Sequence, residues 1–166
     1  MKLIELKPWR TDGKHILVAA NRSFGMRGFI MPERWGENTA EALRRITNRP
    51  VRLRLHPGNG RAPVPLEDDL RDACAVVIWS SSVGVKALIE GIPVICCAPW
   101  WICRGATHGM ECDLEALHVD ECADDDRANA LHALAWAQWS VDEIKSGFAF
   151  EHLLHHDVER IAVSRG

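Results

Sequence analysis

The sequence predicts an α/β fold built on a mostly parallel sheet. Three observations carry that expectation. Short apolar runs alternate with helix-like segments along most of the 166 residues. Two of the runs, AVVIW at 75–79 and PVICCA at 93–98, are continuous rather than alternating, as in strands covered on both faces. Gly, Pro, Ser and Asn residues punctuate the boundaries between runs. Helices on both sides of such a sheet make a Rossmann-like three-layer sandwich. A chain of this length fits one core, so a single domain over 1–166 is expected, with C-terminal helices at about 124–160.

Taken in order, His15–Ala20 (HILVAA) is the first strand, followed by the turn-rich segment 21–28 (NRSFGMRG). Glu37–Thr47 reads as a helix, with Ala40, Leu43 and Ile46 on one face and Pro50 just beyond its end. Val51–Leu55 alternates as a half-buried strand and runs into the turn HPGNG at 56–60. Leu66–Ala73 is a short acidic helix, and Ala75–Trp79 is the next strand. Ser80–Gly91 opens on a serine cluster, has a helical middle and ends on Gly91 as a C-terminal cap, before the strand Pro93–Ala98. That strand–helix–strand unit implies a right-handed crossover. Leu114–Val119 is one further short strand, Asp124–Trp139 a helix, and Ser140 with Glu143 a capping box for the helix after it.

Composition narrows the function. Twenty Lys and Arg against 23 Asp and Glu give a net charge of −3, which excludes the strongly basic balance of non-specific nucleic-acid binders. No run approaches the ~20 apolar residues of a membrane helix, and Met1–Arg10 lacks the apolar core of a signal peptide, so a cytoplasmic location is expected. Six Cys form an even set, but adjacent Cys96 and Cys97 lie in a buried strand, which favours reduced thiols.

In an open parallel sheet, ligands collect beyond the carboxyl ends of the strands. The loop after the first strand holds Arg22, Ser23, Gly25 and Arg27, flexible backbone with two guanidinium groups suited to phosphate; a solvated turn is the alternative. After the second strand, His56 points from a strand end towards the same crevice. After the third, in the turn that runs to Gly84, Ser80, Ser81 and Ser82 bring small hydroxyl residues to the start of a helix, whose N–H groups favour an anion; a serine that only caps the helix is the alternative.

HPG at a strand end, an acidic short helix, an apolar strand, the Ser-Ser-x-x-Gly turn, a helix and Gly-x-Pro-Val opening the next strand together resemble the carboxyl-terminal, donor-binding half of GT-B glycosyltransferases. The likeness is nearest to capsule-polysaccharide transferases of the Kdo-transferring type and covers about 50 residues, Val51–Pro99. It implies a nucleotide-sugar diphosphate as donor substrate, with no further cofactor. Ser80, Ser81 and Ser82 would then face the donor phosphates, with His56 contacting phosphate or sugar as the catalytic candidate. Lys86 stands where that family carries a Glu for the ribose hydroxyls, and is either a cation for an extra anionic group or a solvated helix residue. The family's acceptor half and catalytic base lie on a separate amino-terminal Rossmann half. Alternative readings are a non-catalytic nucleotide-binding module, and an interaction subunit in a homo-oligomer or larger complex.

Two further clusters compete. Cys103, His108, Cys112 and Cys122 offer four soft ligands for a structural zinc, although the spacing matches no familiar knuckle and buried free cysteines are the commoner outcome. Trp100 and Trp101 would either stack on a base or sugar or pack in a core or interface.

Overall fold

A computed structural model describes residues 5–22, 29–59, 64–109 and 124–163. The order of elements is β1 (His15–Ala19), α1 (Trp35–Ile46), β2 (Val51–Arg54), α2 (Leu66–Leu70), β3 (Ala73–Ile78), α3 (Val83–Ile89), β4 (Val94–Cys96), α4 (Asp124–Trp136), α5 (Val141–Lys145) and α6 (Phe148–Val163). The expected strand at Leu114–Val119 lies outside the described residues. The chain divides into two compact units, 1–131 and 132–166, and the division falls within α4.

In the first unit the described strands form one all-parallel sheet in the order β2-β1-β3-β4. The winding reverses after β2, so right-handed crossovers place α1 on one face and α2 and α3 on the other. The side chains follow that division. Ile16, Val18 and Val77 pack with Ala40 and Leu43 of α1, while Gly84 of α3 lies against Ile78, whose strand position points the opposite way. β1 and β3 are almost wholly buried, as central strands must be.

Helix α1 forms because Trp35, Thr39, Ala40 and Leu43 share one buried face, with Glu37 in the first turn and Arg44 and Arg45 in the last, complementing the helix dipole. Gly91 ends α3 as expected. Its φ of 71° is left-handed, and its N–H and that of Ile92 bond back to Leu88 and Ala87. At the start of α4 the deeply buried residue is Arg127. Its guanidinium lies 4.2 Å from the Trp9 ring centroid and donates to the Lys7 and Leu88 carbonyls and to Asp124.

The second unit contains the capping box at Ser140 and Glu143 and a ring cluster of Trp139, Phe148 and His152. Among the described residues, no helix is long and apolar enough to cross a membrane. Cys74, Cys96 and Cys103 are free, and burial pushes the Cys96 and Cys103 thiols above their ordinary range, which keeps them protonated and unreactive.

Candidate functional site at the carboxyl edge of the sheet

Three neighbouring strands end side by side, and the residues just beyond them touch. Asn21 follows β1, and its Nδ2 donates to the Ser80 hydroxyl beyond β3 at 3.3 Å. Arg22 is next, and its Nε donates to Nδ1 of His56 beyond β2 at 3.1 Å. The Gly58 N–H donates to the same Nδ1 at 3.0 Å. This convergence follows from strand order alone: β2, β1 and β3 are adjacent, so the first residues after each have little choice but to meet.

The two bonds to His56 fix its chemistry. Both partners are donors only, so Nδ1 must offer its lone pair and the ring proton sits on Nε2. Among the described residues, that N–H is the unbonded group of the imidazole. Arg22 is exposed and uses only Nε among its donors, leaving both terminal nitrogens unbonded among the described residues. Gly58 is required beneath them, because a Cβ there would overlap the Arg22 guanidinium. Asn21 adds a buried Oδ1 with no hydrogen-bond partner among the described residues, an acceptor beside the Ser80 hydroxyl. Sequence reasoning passed over Asn21, although its place directly after the first strand was the available clue.

The three serines differ. Ser81 is buried and its Oγ accepts from the Val83 N–H at 3.3 Å, so it caps α3. Ser80 is half-buried and bonded to Asn21, and Ser82 is exposed at the turn. Gly84 does not line the edge. A Cβ there would lie 2.6 Å from Ile78 Cδ1 and 2.7 Å from Trp101 Cη2, so the missing side chain makes room for the buried Trp101.

Lys86 is placed elsewhere too. It lines a cleft of ≈ 340 Å³ with Lys7, Arg10, Glu67, Leu70, Arg71 and Glu90. There Lys7 pairs with Glu90, and Arg10 donates to the carbonyls of Leu70 and Ala73. Ser23, Gly25 and Arg27 lie outside the described residues, as do Cys112 and Cys122 of the expected metal set. Of that set, Cys103 is buried, and the His108 backbone pairs with β4. Two carboxylates of α2 are engaged by arginines, Asp69 by Arg54 and Asp68 by Arg71.

No family model and no curated protein matches the chain. The sheet edge gathers one guanidinium, one imidazole N–H and two serine hydroxyls from adjacent strand ends. It can supply several donors to one anionic ligand.

Proposed function

We propose that the protein binds a nucleotide-sugar diphosphate, or a related nucleotide, at the carboxyl edge of its sheet, in the manner of a GT-B donor-binding half of the Kdo-transferring type. The observation that carries this reading is the meeting of Arg22, His56 and the Asn21–Ser80 pair at three adjacent strand ends. A diphosphate there receives a guanidinium fork, the His56 Nε2–H and the hydroxyls of Ser80 and Ser82. In glycosyl transfer, negative charge develops on the departing nucleotide, and fixed donors lower the barrier by stabilising it. His56 serves as a donor to that charge. Its Nδ1 lone pair is committed, so it is no base for the acceptor.

A second reading, binding without turnover, is favoured by one observation. Asp68 and Asp69, carboxylates of the short acidic helix α2, are each held by an arginine. Activation of an acceptor then falls to another group, supplied by a second subunit or copy. A thermal-shift titration with nucleoside mono- and diphosphates and their sugar conjugates tests the reading. A ligand at 100 times its Kd raises stability by about 2.7 kcal/mol. Ser82→Asp, at an exposed position, removes the shift through like charge while leaving the fold intact. The absence of a shift with every member of the panel overturns the reading, and donor turnover in the presence of acceptors separates transfer from binding alone.

A further inference from the structure

The same edge carries a second feature with different chemistry. Trp100 lies in the turn beyond β4, two residues after Ala98, whose N–H makes the last bond to the strand-end residue Trp79. Phe29 belongs to the connection between β1 and α1, yet its ring lies 5.2 Å from that of Trp100, centroid to centroid, at an interplanar angle of 55°. Phe29 is 49% exposed and Trp100 39%. The neighbouring Trp101 is buried against Gly84, and Arg104 donates to the Cys96 carbonyl beneath the turn, so Trp100 rests on a fixed base. Adjacent tryptophans thus divide their work, one anchoring and one presented.

We infer that Phe29 and Trp100 form a stacking platform for the nucleobase of the ligand whose phosphates meet Arg22 and His56. The inference rests on the proposed anion site and adds an orientation to it. β4 is two strands from β1 and three from β2, where the Arg22 guanidinium meets His56, so the platform stands roughly 10–15 Å from the cationic donors. That is the reach of an extended nucleoside diphosphate laid across the end of β3, over Ser80 and Ser82. The size of the patch also argues for a small ring. At these exposures the two side chains offer roughly 200 Å², against about 800 Å² for each partner in a typical protein interface. An apolar ring platform at one end and a cationic donor cluster at the other match a ligand with an aromatic head and an anionic tail.

Isothermal titration with uridine diphosphate, adenosine diphosphate and inorganic pyrophosphate tests this directly. Base stacking on an aromatic residue is lost on truncation to alanine, so Trp100→Ala weakens both nucleotides about tenfold or more. Pyrophosphate binding stays unchanged, because it has no ring. Phe29→Ala reproduces the selective loss, and Trp100→Phe restores most of it. Arg22→Ala weakens all three probes. Nucleotide affinity equal to that of the parent in both Trp100→Ala and Phe29→Ala overturns the platform while leaving the anion site standing. Failure of the parent chain to bind any of the three probes overturns both.

Discussion

Gly58→Ala separates the proposed site from the fold. A Cβ at position 58 would coincide with the end of the Arg22 side chain rather than with any backbone atom. Carbon needs about 3.5 Å of clearance, so the guanidinium must swing aside, and its Nε leaves hydrogen-bonding reach of His56 Nδ1, now at 3.1 Å. Arg22 is exposed and free to move. Position 58 has no left-handed φ, so alanine fits its backbone and stability holds or rises by up to about 1 kcal/mol through the unfolded chain. Binding goes the other way. Losing a hydrogen bond from a charged donor costs about 1.5–3 kcal/mol, or roughly tenfold to a hundredfold in affinity for pyrophosphate. Urea denaturation and pyrophosphate titration of the two proteins read these opposite changes. Nitrogen-detected NMR of the imidazole adds a readout free of ligand, with the parent showing the Nε2–H form of His56. An alanine variant that binds pyrophosphate as tightly as the parent refutes the role given to Arg22.

Three further predictions concern the scaffold. His15 is buried at the start of β1; its Nε2 donates to the Asp69 carbonyl and its Nδ1 has no hydrogen-bond partner among the described residues, so burial holds its pKa below the usual histidine range. The unfolded chain therefore binds this proton more readily, and the stability His15 contributes is full above about pH 6.5 and is lost as pH falls through the lower folded value; the slope of urea midpoints from pH 8 to pH 5 should shrink in His15→Gln, and an unchanged slope contradicts the assignment. Arg127→Met removes the guanidinium from Trp9 and from two carbonyls, costing about 2–4 kcal/mol by the same denaturation measurement, with a loss below ~1 kcal/mol contradicting its anchoring role. Gly84→Ala drives a methyl into buried Ile78 and Trp101, and the ~1–3 kcal/mol overpacking cost exceeds the gain of up to ~1 kcal/mol in helix propensity, so its melting temperature falls and Trp101→Phe recovers part of the loss.

The sheet was legible in the sequence because its signal is local. Continuous apolar runs at 15–20, 75–79 and 93–98 became β1, β3 and β4, displaced by one or two residues at their ends. The ladder stops where a neighbour stops offering partners, which no single run reveals. The capping box at Ser140 was legible for the same reason, since both of its bonds span three residues. Properties that depend on direction were not. Three consecutive serines look alike, yet only Ser81 turns inward to cap, and Ser82 faces solvent. Gly84 is read from sequence as part of the anion-binding turn, whereas the close approach it permits is that of Trp101. Lys86 joins the cleft with Lys7 and Glu90 because the azimuth of a seven-residue helix is set by its packing. Arg127, beside three aspartates, is buried by distant contacts that no local pattern displays, Lys7 and Trp9 among them, more than 100 positions away.

The most direct test of the account is an amide NMR titration of the chain with a nucleoside diphosphate. Binding at the sheet edge shifts the resonances of Asn21, Arg22, His56, Gly58 and Ser80 to Val83, together with the Trp100 indole, and leaves Lys86 to Glu90 unmoved. Shifts confined to the Lys86 cleft, or none at saturating ligand, contradict it.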